Sequence, residues 1–447
     1  MAKYPLTDNI KALSKPFIKA GFSLYLVGGA VRDFLLSKRN DDYDFTTDAT
    51  PDEIMELFKG HTIPTGIKHG TVTVRFRGES YEITTFRADG DYSDGRHPDK
   101  VEFVRSLESD LERRDFTINA FAVSIQSGEI LDYHNGREDL EKGLIRAIGT
   151  PKKRFDEDAL RLIRACRFAS KLDFEIEEET KKAIIEDASN ITKVSAERIR
   201  EELFKILSSD HPAKGLELMR ETGLMKYILP ELLEGYGMEQ KGLHKYDVYY
   251  HIINSLQAAA DDNAPFPVRL ALLFHDIGKP RSMKIRDGEV TFYSHEKISE
   301  NLAHEILSRL KCSNEEIALT CLLVRNHMFH YQREWTDSAV RRFLLKVGKE
   351  NLDLLFAVRR ADRLAIDGNV DEEKISDLRE RIEKEIQKGS AMSLKDLKIN
   401  GRDLIDLGIK PGPKMGQILE ELFEKVTEDP TLNEKESLRE LAKSLIK

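Results

Sequence analysis

The chain is poor in cysteine: Cys166, Cys312 and Cys321 are the only three in 447 residues, and no two of them form a Cys-x-x-Cys. A disulfide framework is therefore excluded, and a reducing cytoplasm is the expected setting. No stretch approaches the ~18 consecutive apolar residues of a membrane-crossing helix, so no membrane partner is expected. The opening MAKYPLTDNIKALSK has neither an apolar core nor a small-residue cleavage site, so no signal peptide is expected. Repeats and low-complexity tracts are also absent. Positive charge is not in excess: 70 Lys and Arg against 79 Asp and Glu leave a net charge of −9. Bulk charge thus gives no sign of nucleic-acid binding, although a basic groove can sit on an acidic protein. What is present is ordinary globular composition, 40% hydrophobic and 33% charged, in a chain too long for one core. Locally basic stretches occur at Arg113-Arg114, Lys152-Lys153-Arg154 and Arg161, Arg164 and Arg167. Taken singly, each reads as a solvated helix face.

Residues 24–122 alternate between strand and helix signals. SLYLV ends in Gly28-Gly29, AVRDFLL follows at helical spacing, and YDFTT is a second strand candidate. Thr50-Pro51 opens a helix with Asp52 and Glu53 in its first turn. HGTVTVRF and YEITTF alternate and are rich in β-branched residues, with a turn at Gly78, and KVEFV reads as a fifth strand. Between them, DGDYSDGRHPD at 89–99 is a polar, flexible loop. From about residue 155 the pattern is helical, broken at Pro230, Gly235 and Gly237. The tail carries two helices around a Pro-Gly-Pro turn.

Two constellations at the N-terminal end suit phosphate chemistry. In LVGGAVRD, the paired glycines let backbone approach a phosphate at a helix start, and Arg32 adds a charged grip. A plain tight turn is the alternative. In Asp42-Tyr43-Asp44, a strand puts both carboxylates on one side, where they could hold two Mg²⁺. A surface turn is the alternative there. Glu82 alternates correctly to be a third carboxylate.

GG-x-VRD, the DxD about ten residues later, a βαββ pattern and then RRDFTINA form a rare combination. With them the chain resembles the polymerase-β-like nucleotidyltransferases, specifically the class II CCA-adding enzymes and bacterial poly(A) polymerases. The resemblance spans about 20–235 and returns near 393–425. It implies that Gly29 and Arg32 hold a nucleoside triphosphate and that Asp42 and Asp44 bind Mg²⁺. It also implies that Arg114 contacts nucleotide phosphate and that Asp115 reads the ribose 2′-OH. CTP and ATP are the implied nucleotides.

EDALRLIRACRF contains Asp158 and Arg161 at i,i+3, so on a helix they stand side by side. A carboxylate accepts from an exocyclic amino group and a guanidinium donates to a ring acceptor. Cytosine and adenine fit that pair, whereas uracil and guanine set a carbonyl against the carboxylate. The alternative is an intrahelical salt bridge. The class II family uses this EDxxR element as an amino-acid template, which carries over to Asp158 and Arg161. Arg164 and Arg167 are assigned to nucleotide or primer phosphates. The complete 89–99 loop favours an enzyme able to add the terminal A. IPTGIKHGTVTV stands where poly(A) polymerases carry a glycine-arginine-rich-phenylalanine signature, and the C-terminus is not Arg-rich, so CCA addition leads over polyadenylation; A-only addition stays open, because the loop and EDxxR are shared with it.

The middle of the chain holds His251, His275-Asp276 in LALLFHDIGKP, His295, His327 and Asp362. His and Asp suit divalent metals, and an adjacent pair can serve one ion. The set resembles the HD superfamily of phosphohydrolases. That resemblance implies a divalent transition metal at His251, His275, Asp276 and Asp362, with His295 and His327 as further ligands. His304 and His330 are alternatives by spacing. A helical body that keeps these residues only to bind tRNA is the competing reading. The tail NGRDLIDLGIKPGPKMGQILEEL resembles the class II C-terminal element, with Gly412 and Gly416 near a helix start, and the family grips tRNA by its acceptor and TΨC arms.

The expected fold is α+β. A polymerase-β-like nucleotidyltransferase head, a small mixed sheet with helices, fills 1–150. A helical neck with the EDxxR helix spans 151–235, a helical HD-type body 236–390, and a helical tRNA-binding tail 391–447.

Overall fold

Alternating short apolar runs near the N-terminus become the strands of one mixed sheet. They are β1 (Leu24–Val27), β2 (Asp44–Thr47), β3 (Thr62–Gly66), β4 (Thr71–Phe76) and β5 (Glu79–Thr85). Then come β6 (Arg87–Asp89), β7 (Val101–Phe103), β8 (Phe121–Ser124) and β9 (Ile130–Asp132). The structure is a computed structural model describing residues 3–446 except 41, 68–69, 90–100, 241–244, 287–288, 367, 369, 371, 389–390 and 392. Most of the polar loop expected at 89–99 therefore lies outside the described residues.

Seven strands form the sheet in the order β3-β4-β5-β2-β1-β8-β9. Only β2 and β5 run parallel within it, and their register sets Asp44 opposite Glu82. The alternation in β4 is the reason it pairs well: Val72 and Val74 are buried while Arg75 faces water. β7, expected as a strand, pairs with β6 in a separate two-stranded ribbon. β8 and β9 fill the sheet's far edge, and Phe121, Ala122 and Val123 are fully buried.

Helices cover the sheet. The helix Asp8–Lys19 buries Leu13 and Phe17, and the helix Pro51–Leu57 starts with a capping box between Thr50 and Glu53. After residue 150 the described residues are helical apart from the short strand Glu175–Ile176, which pairs with Leu144–Ile145, and one two-stranded ribbon, Lys284–Arg286 with Glu289–Thr291. Two compact units result: Met1–Leu233 with Arg309–Cys312, and Glu234–Ser308 with Ser313–Lys447. In the second unit, the helices Val248–Asp261, Phe266–Phe274, Asn314–Asn326 and Leu352–Ile366 pack around a metal-ligand cluster. The C-terminal helices close their own core around Leu404, Leu422, Leu438 and Ala442. No helix among the described residues is long and apolar enough to cross a membrane.

Candidate active site and candidate metal centre

The turn after β1 depends on Gly28, whose φ of 75° suits glycine. A Cβ there would stand 3.3 Å from Arg114 Nη1 and 3.9 Å from Asp44 Oδ2. Gly28 therefore lets an arginine from RRDF and the metal-motif aspartate close on the same backbone. Gly28→Ala is expected to lower nucleotide addition about 10-fold or more, because backbone strain and a displaced Arg114 act together. Steady-state kinetics on a folded variant would decide this, and unchanged turnover would remove Gly28 from the site. Beyond the turn, the Gly29–Leu35 helix carries Arg32, which is buried. Its Nε donates to Asp33 Oδ1 at 2.8 Å and its Nη1 to Asn119 Oδ1 at 2.7 Å. Asp33 and Asn119, which the motif reading passed over, fix that guanidinium.

Asp44 opens β2, but Asp42 lies ahead of the strand, not within it as the i,i+2 argument supposed. The reason is local turn chemistry: the Asp42 N–H donates to Asn40 Oδ1 at 2.9 Å, which bends the chain before pairing starts. Both carboxylates still line the same cavity. Glu82 stands beside Asp44 across the parallel pair and shares a second surface cavity with it. Among the described residues, these three do not gather into a set of ligand atoms within 4.8 Å of one another. Burial, then the Asp42 charge, raise the Asp44 carboxyl above its ordinary range; Arg114 opposes this and Glu82 adds to it. Carboxylates crowded this way suit a cation.

Asp115 is buried. Its Oδ1 accepts from the Phe116 N–H and the Asn119 amide, and its Oδ2 accepts from Arg164 Nε at 2.9 Å. Burial opposes the charge, yet Arg164 and Asn119 hold this carboxyl far below its ordinary range. Arg114 is half-buried, and its Nε has no hydrogen-bond partner.

Asp158 does not pair with Arg161. The helix Pro151–Glu157 ends before it, and a second helix, Leu160–Leu172, begins after it. Asp158 itself is extended, with φ −149° and ψ 104°. Its Oδ1 caps the second helix by accepting from the Leu160 N–H at 3.0 Å. Its Oδ2 accepts from Arg198 Nη2 at 2.8 Å. Arg161 is instead held by Glu157 at 2.7 Å and by the Arg113 and Arg154 carbonyls. The break arises because Asp158 is a stronger cap than an interior residue. Arg198, 40 positions away in sequence, is the partner that local reading missed.

One cavity of about 880 Å³ gathers Gly28, Gly29, Arg32, Asp42, Asp44, Arg114, Asp115, Asp158, Arg161, Arg164 and Arg167. Adding Arg113, Lys171, Arg198 and Lys205 makes nine cationic side chains against four aspartates. Arg167 ion-pairs with Glu202 at 3.1 Å, yet burial and the neighbouring Arg164 charge push its guanidinium down to about 10. Such crowded cations on a chain of net charge −9 suit a polyanion.

Comparison with known proteins agrees with this geometry. A family model described as the poly A polymerase head domain matches residues 24–146, and one described as tRNA nucleotidyltransferase domain 2 matches 290–442. The CCA-adding enzyme of Limosilactobacillus reuteri is 38% identical over 432 residues, covering 96% of this chain and 94% of that protein. The chain belongs to the CCA-adding enzyme family. The Ligilactobacillus salivarius CCA-adding enzyme is 35% identical over 96% of this chain and 94% of its own length. A crystal structure of the Bacillus stearothermophilus CCA-adding enzyme with CTP superposes with TM-score 0.74 at 31% identity, covering 98% of this chain and 96% of that one. The chain is thus a tRNA nucleotidyltransferase with a polymerase-β-like mixed sheet and a mostly helical remainder. Divalent-metal dependence comes with the nucleotidyltransferase family.

The second unit brings six buried side chains together. His251, His275, Asp276 and Asp362 place ligand atoms within 4.8 Å of one another, as do Asp276, His295 and His327. His251 Nε2 lies 3.1 Å from Asp276 Oδ2 and 3.2 Å from Asp362 Oδ1. His295 Nε2 lies 3.0 Å from Asp276 Oδ1. The Nδ1 atoms of His275, His295 and His327 each meet a backbone carbonyl at 2.7, 2.8 and 2.7 Å. Donating there fixes the tautomer and turns an Nε2 lone pair toward a carboxylate. That arrangement is repulsive without a cation, so the donor set fits a metal. Lys279, which sequence reading left out of HDIGKP, donates to Asp276 Oδ2 at 2.6 Å. His304 and His330 are exposed and join neither group.

The remaining expectations fall elsewhere. A Cβ at Gly412 or Gly416 would meet nothing within 4 Å, so the helix start there is open. Of the other basic stretch, Arg154 is buried and Lys152 ion-pairs with Asp187 at 2.9 Å, so only part of it is a solvated face.

Proposed function

We propose that the enzyme adds C, C and A to the 3′ end of tRNA from CTP and ATP, with tRNA held by its acceptor and TΨC arms. The observation that carries this is the single cavity joining the glycine turn, the DxD, RRD and Asp158. The four-part division into head, neck, body and tail, and a cytoplasmic setting, belong to the same reading. Asp42 and Asp44 would hold Mg²⁺, which when bound activates a hydroxyl and stabilises a leaving pyrophosphate. Gly29 offers backbone, and Arg32, Arg164 and Arg167 offer charge, to a triphosphate or primer phosphate. Arg114 stands nearest the metal motif, where phosphate charge needs a partner. Asp115 is pre-ionised and buried, as an acceptor for a ribose hydroxyl should be.

Base choice then requires an exchange. Asp158 must give up Arg198 to accept the amino group of cytosine or adenine, while Arg161, fixed by Glu157, donates to the ring. Asp158→Ala is expected to reduce discrimination against UTP and GTP about 10- to 100-fold, the worth of one charged hydrogen bond. Misincorporation on tRNA ending in CC reads this out, and unchanged fidelity would remove the base-reading role.

The function is tested by incubating the protein with Mg²⁺ and tRNA lacking CCA, or ending in CC, with CTP, ATP or both. Full CCA addition to the first is the expected result. Addition of A to the CC-ended tRNA alone would assign A-only addition, and long A-tails on unrelated RNA would assign polyadenylation.

The buried His and Asp cluster favours a second reading for the other unit. His251, His275, Asp276, Asp362, His295 and His327 would hold a divalent transition metal, being the imidazole-rich set that such ions prefer. Phosphoester hydrolysis, acting on RNA ends, is the activity proposed for it. A purified sample that carries and binds no transition metal would sink that reading.

A further inference from the structure

We infer that Lys171 binds the terminal phosphate of the incoming CTP or ATP and so makes the enzyme read a triphosphate; this rests on the arginine-rich cavity of the first unit being the nucleotide site. Of the nine cationic side chains lining that cavity, seven are ion-paired to a carboxylate. Arg167 has Glu202 at 3.1 Å, for instance, and Arg113 has Asp110 at 2.9 Å. Among the described residues, Arg114 and Lys171 make no such pair. Arg114 stands beside the metal motif, where it and Asp44 both close on Gly28. Lys171 stands elsewhere in the same cavity, and its place along a helix says where.

The helix Leu160–Leu172 orders the site along its axis. Asp158, the proposed base reader, caps its first turn through the Leu160 N–H. Arg164, one turn in, holds Asp115, the proposed acceptor for the ribose hydroxyl, at 2.9 Å. Arg167 comes next, its guanidinium 4.0 Å from the centre of the Phe168 ring, and Arg32 stands over the same ring at 5.4 Å. Lys171 lies in the last turn, one turn beyond Arg167. At ~1.5 Å per residue, Arg161 and Lys171 are about 15 Å apart along the axis. Base, sugar and phosphates therefore meet the helix in that order, and Lys171 follows Arg32 and Arg167 at the phosphate end.

A solvated lysine on a helix is ordinary, but this one is surrounded by its own charge. Burial, then the like charge of Arg32, lower its ammonium below the ordinary lysine range; Asp33 opposes this, and Arg167 and Lys38 add to it. Asp33 is already committed: its Oδ1 accepts from Arg32 Nε at 2.8 Å and its Oδ2 from Asn40 Nδ2 at 2.7 Å. A cation crowded by cations, beside an acid that is taken, gains from an arriving polyanion. An ammonium is a compact charge with three donors that rotate, which suits the free end of a polyphosphate. The two unpaired cations then bracket the phosphate chain, Arg114 at the metal end and Lys171 at the terminal one.

The test measures binding of CTP, CDP and CMP to the full chain in Mg²⁺ by calorimetry, and addition of CTP to tRNA lacking CCA. Lys171→Gln and Lys171→Arg are compared with the parent. In Lys171→Gln, CTP affinity is expected to fall about 10-fold, the worth of one charged contact, while CDP and CMP change less than about twofold. The KM for CTP should rise in parallel at nearly constant kcat, and inhibition by pyrophosphate, which is the released β- and γ-phosphates, should weaken by a similar factor. Lys171→Arg keeps the charge and should recover most of the loss. The melting temperature of Lys171→Gln should match the parent's, because no ion pair is broken. Loss of affinity for CTP and CDP by the same factor, or for neither, overturns the assignment. If the parent binds no CTP, the nucleotide reading fails on its own. Inorganic tripolyphosphate then decides the subsite: weaker binding by Lys171→Gln than by the parent keeps it as a polyphosphate site, and equal or absent binding overturns it.

Discussion

Replacing Asp44 with alanine is expected to abolish nucleotide addition, by on the order of 10³-fold or more, without loosening tRNA. Asp44 faces Val27 on one side and Glu82 on the other, at the mouth of a cavity otherwise crowded with arginine and lysine. It makes no ion pair with them within 4 Å among the described residues, although Arg114 is near. A carboxylate kept apart from so many cations, yet beside Asp42 and Glu82, is placed for a metal and not for structural pairing. The sign of the stability effect separates the two roles. Burial and the Asp42 charge raise this carboxyl in the folded state. A raised acid costs the folded state when ionised: the penalty is present above the folded pKa and vanishes below the unfolded value of about 3.9. Asp44 is exposed to solvent, so that penalty is small, and Asp44→Ala should melt at about the parent's temperature at pH 7, while Asp44→Asn stays equally inactive. Single-turnover addition of CTP, beside a melting curve, measures both. Retained addition in Asp42→Ala and Asp44→Ala together would refute the metal assignment. A marked drop in melting temperature would show that Asp44 is structural.

The parts of this site that sequence revealed are those whose chemistry is local. Gly28 to Asp33 and Asp42 to Asp44 lie within one turn and one strand edge, so their spacing is nearly their geometry. Asp158 shows where that logic stops. The spacing to Arg161 is right for a helix, but whether the helix continues depends on a cap at Leu160 and a guanidinium 40 residues later. Glu157 and Asp158 are adjacent acids, and nothing in the sequence says which of them Arg161 takes. Strands β8 and β9 are too short for alternation to register, at four and three residues, and owe their existence to the edge that β1 offers. β7 shows the converse: good strand composition does not say which sheet it joins. The histidine cluster was legible despite ligands running from 251 to 362. Six ionisable side chains of metal-binding type are costly to bury apart, and the fold brings them together. Lys279 stayed hidden because a lysine three residues past an aspartate is ordinary until both are seen to be buried.

Asp276→Ala is expected to empty the second unit of metal entirely, with affinity falling at least ~100-fold at every position. Asp276 alone belongs to both ligand groups. Its two oxygens divide between them: Oδ2 faces His251 at 3.1 Å and His275 at 3.4 Å, whereas Oδ1 faces His295 at 3.0 Å and His327 at 3.6 Å. His295→Ala touches only one group, so it should lose at most part of the metal that Asp276→Ala loses. The metal-free protein should suffer as well. Without Asp276, the buried Lys279 ammonium keeps, among the described residues, the uncharged Gln240 side-chain oxygen at 2.6 Å and the Phe292 ring at 5.9 Å, and breaking a buried ion pair costs about 3–5 kcal/mol. Asp276→Ala with Lys279→Met removes both charges and should recover much of that stability but none of the metal. Mass-spectrometric metal content and melting curves of the three variants separate the contributions. If Asp276→Ala keeps a full complement of metal, the two groups do not share a carboxylate and the centre is not one site. If the double variant regains metal as well as stability, Asp276 serves Lys279 and not an ion.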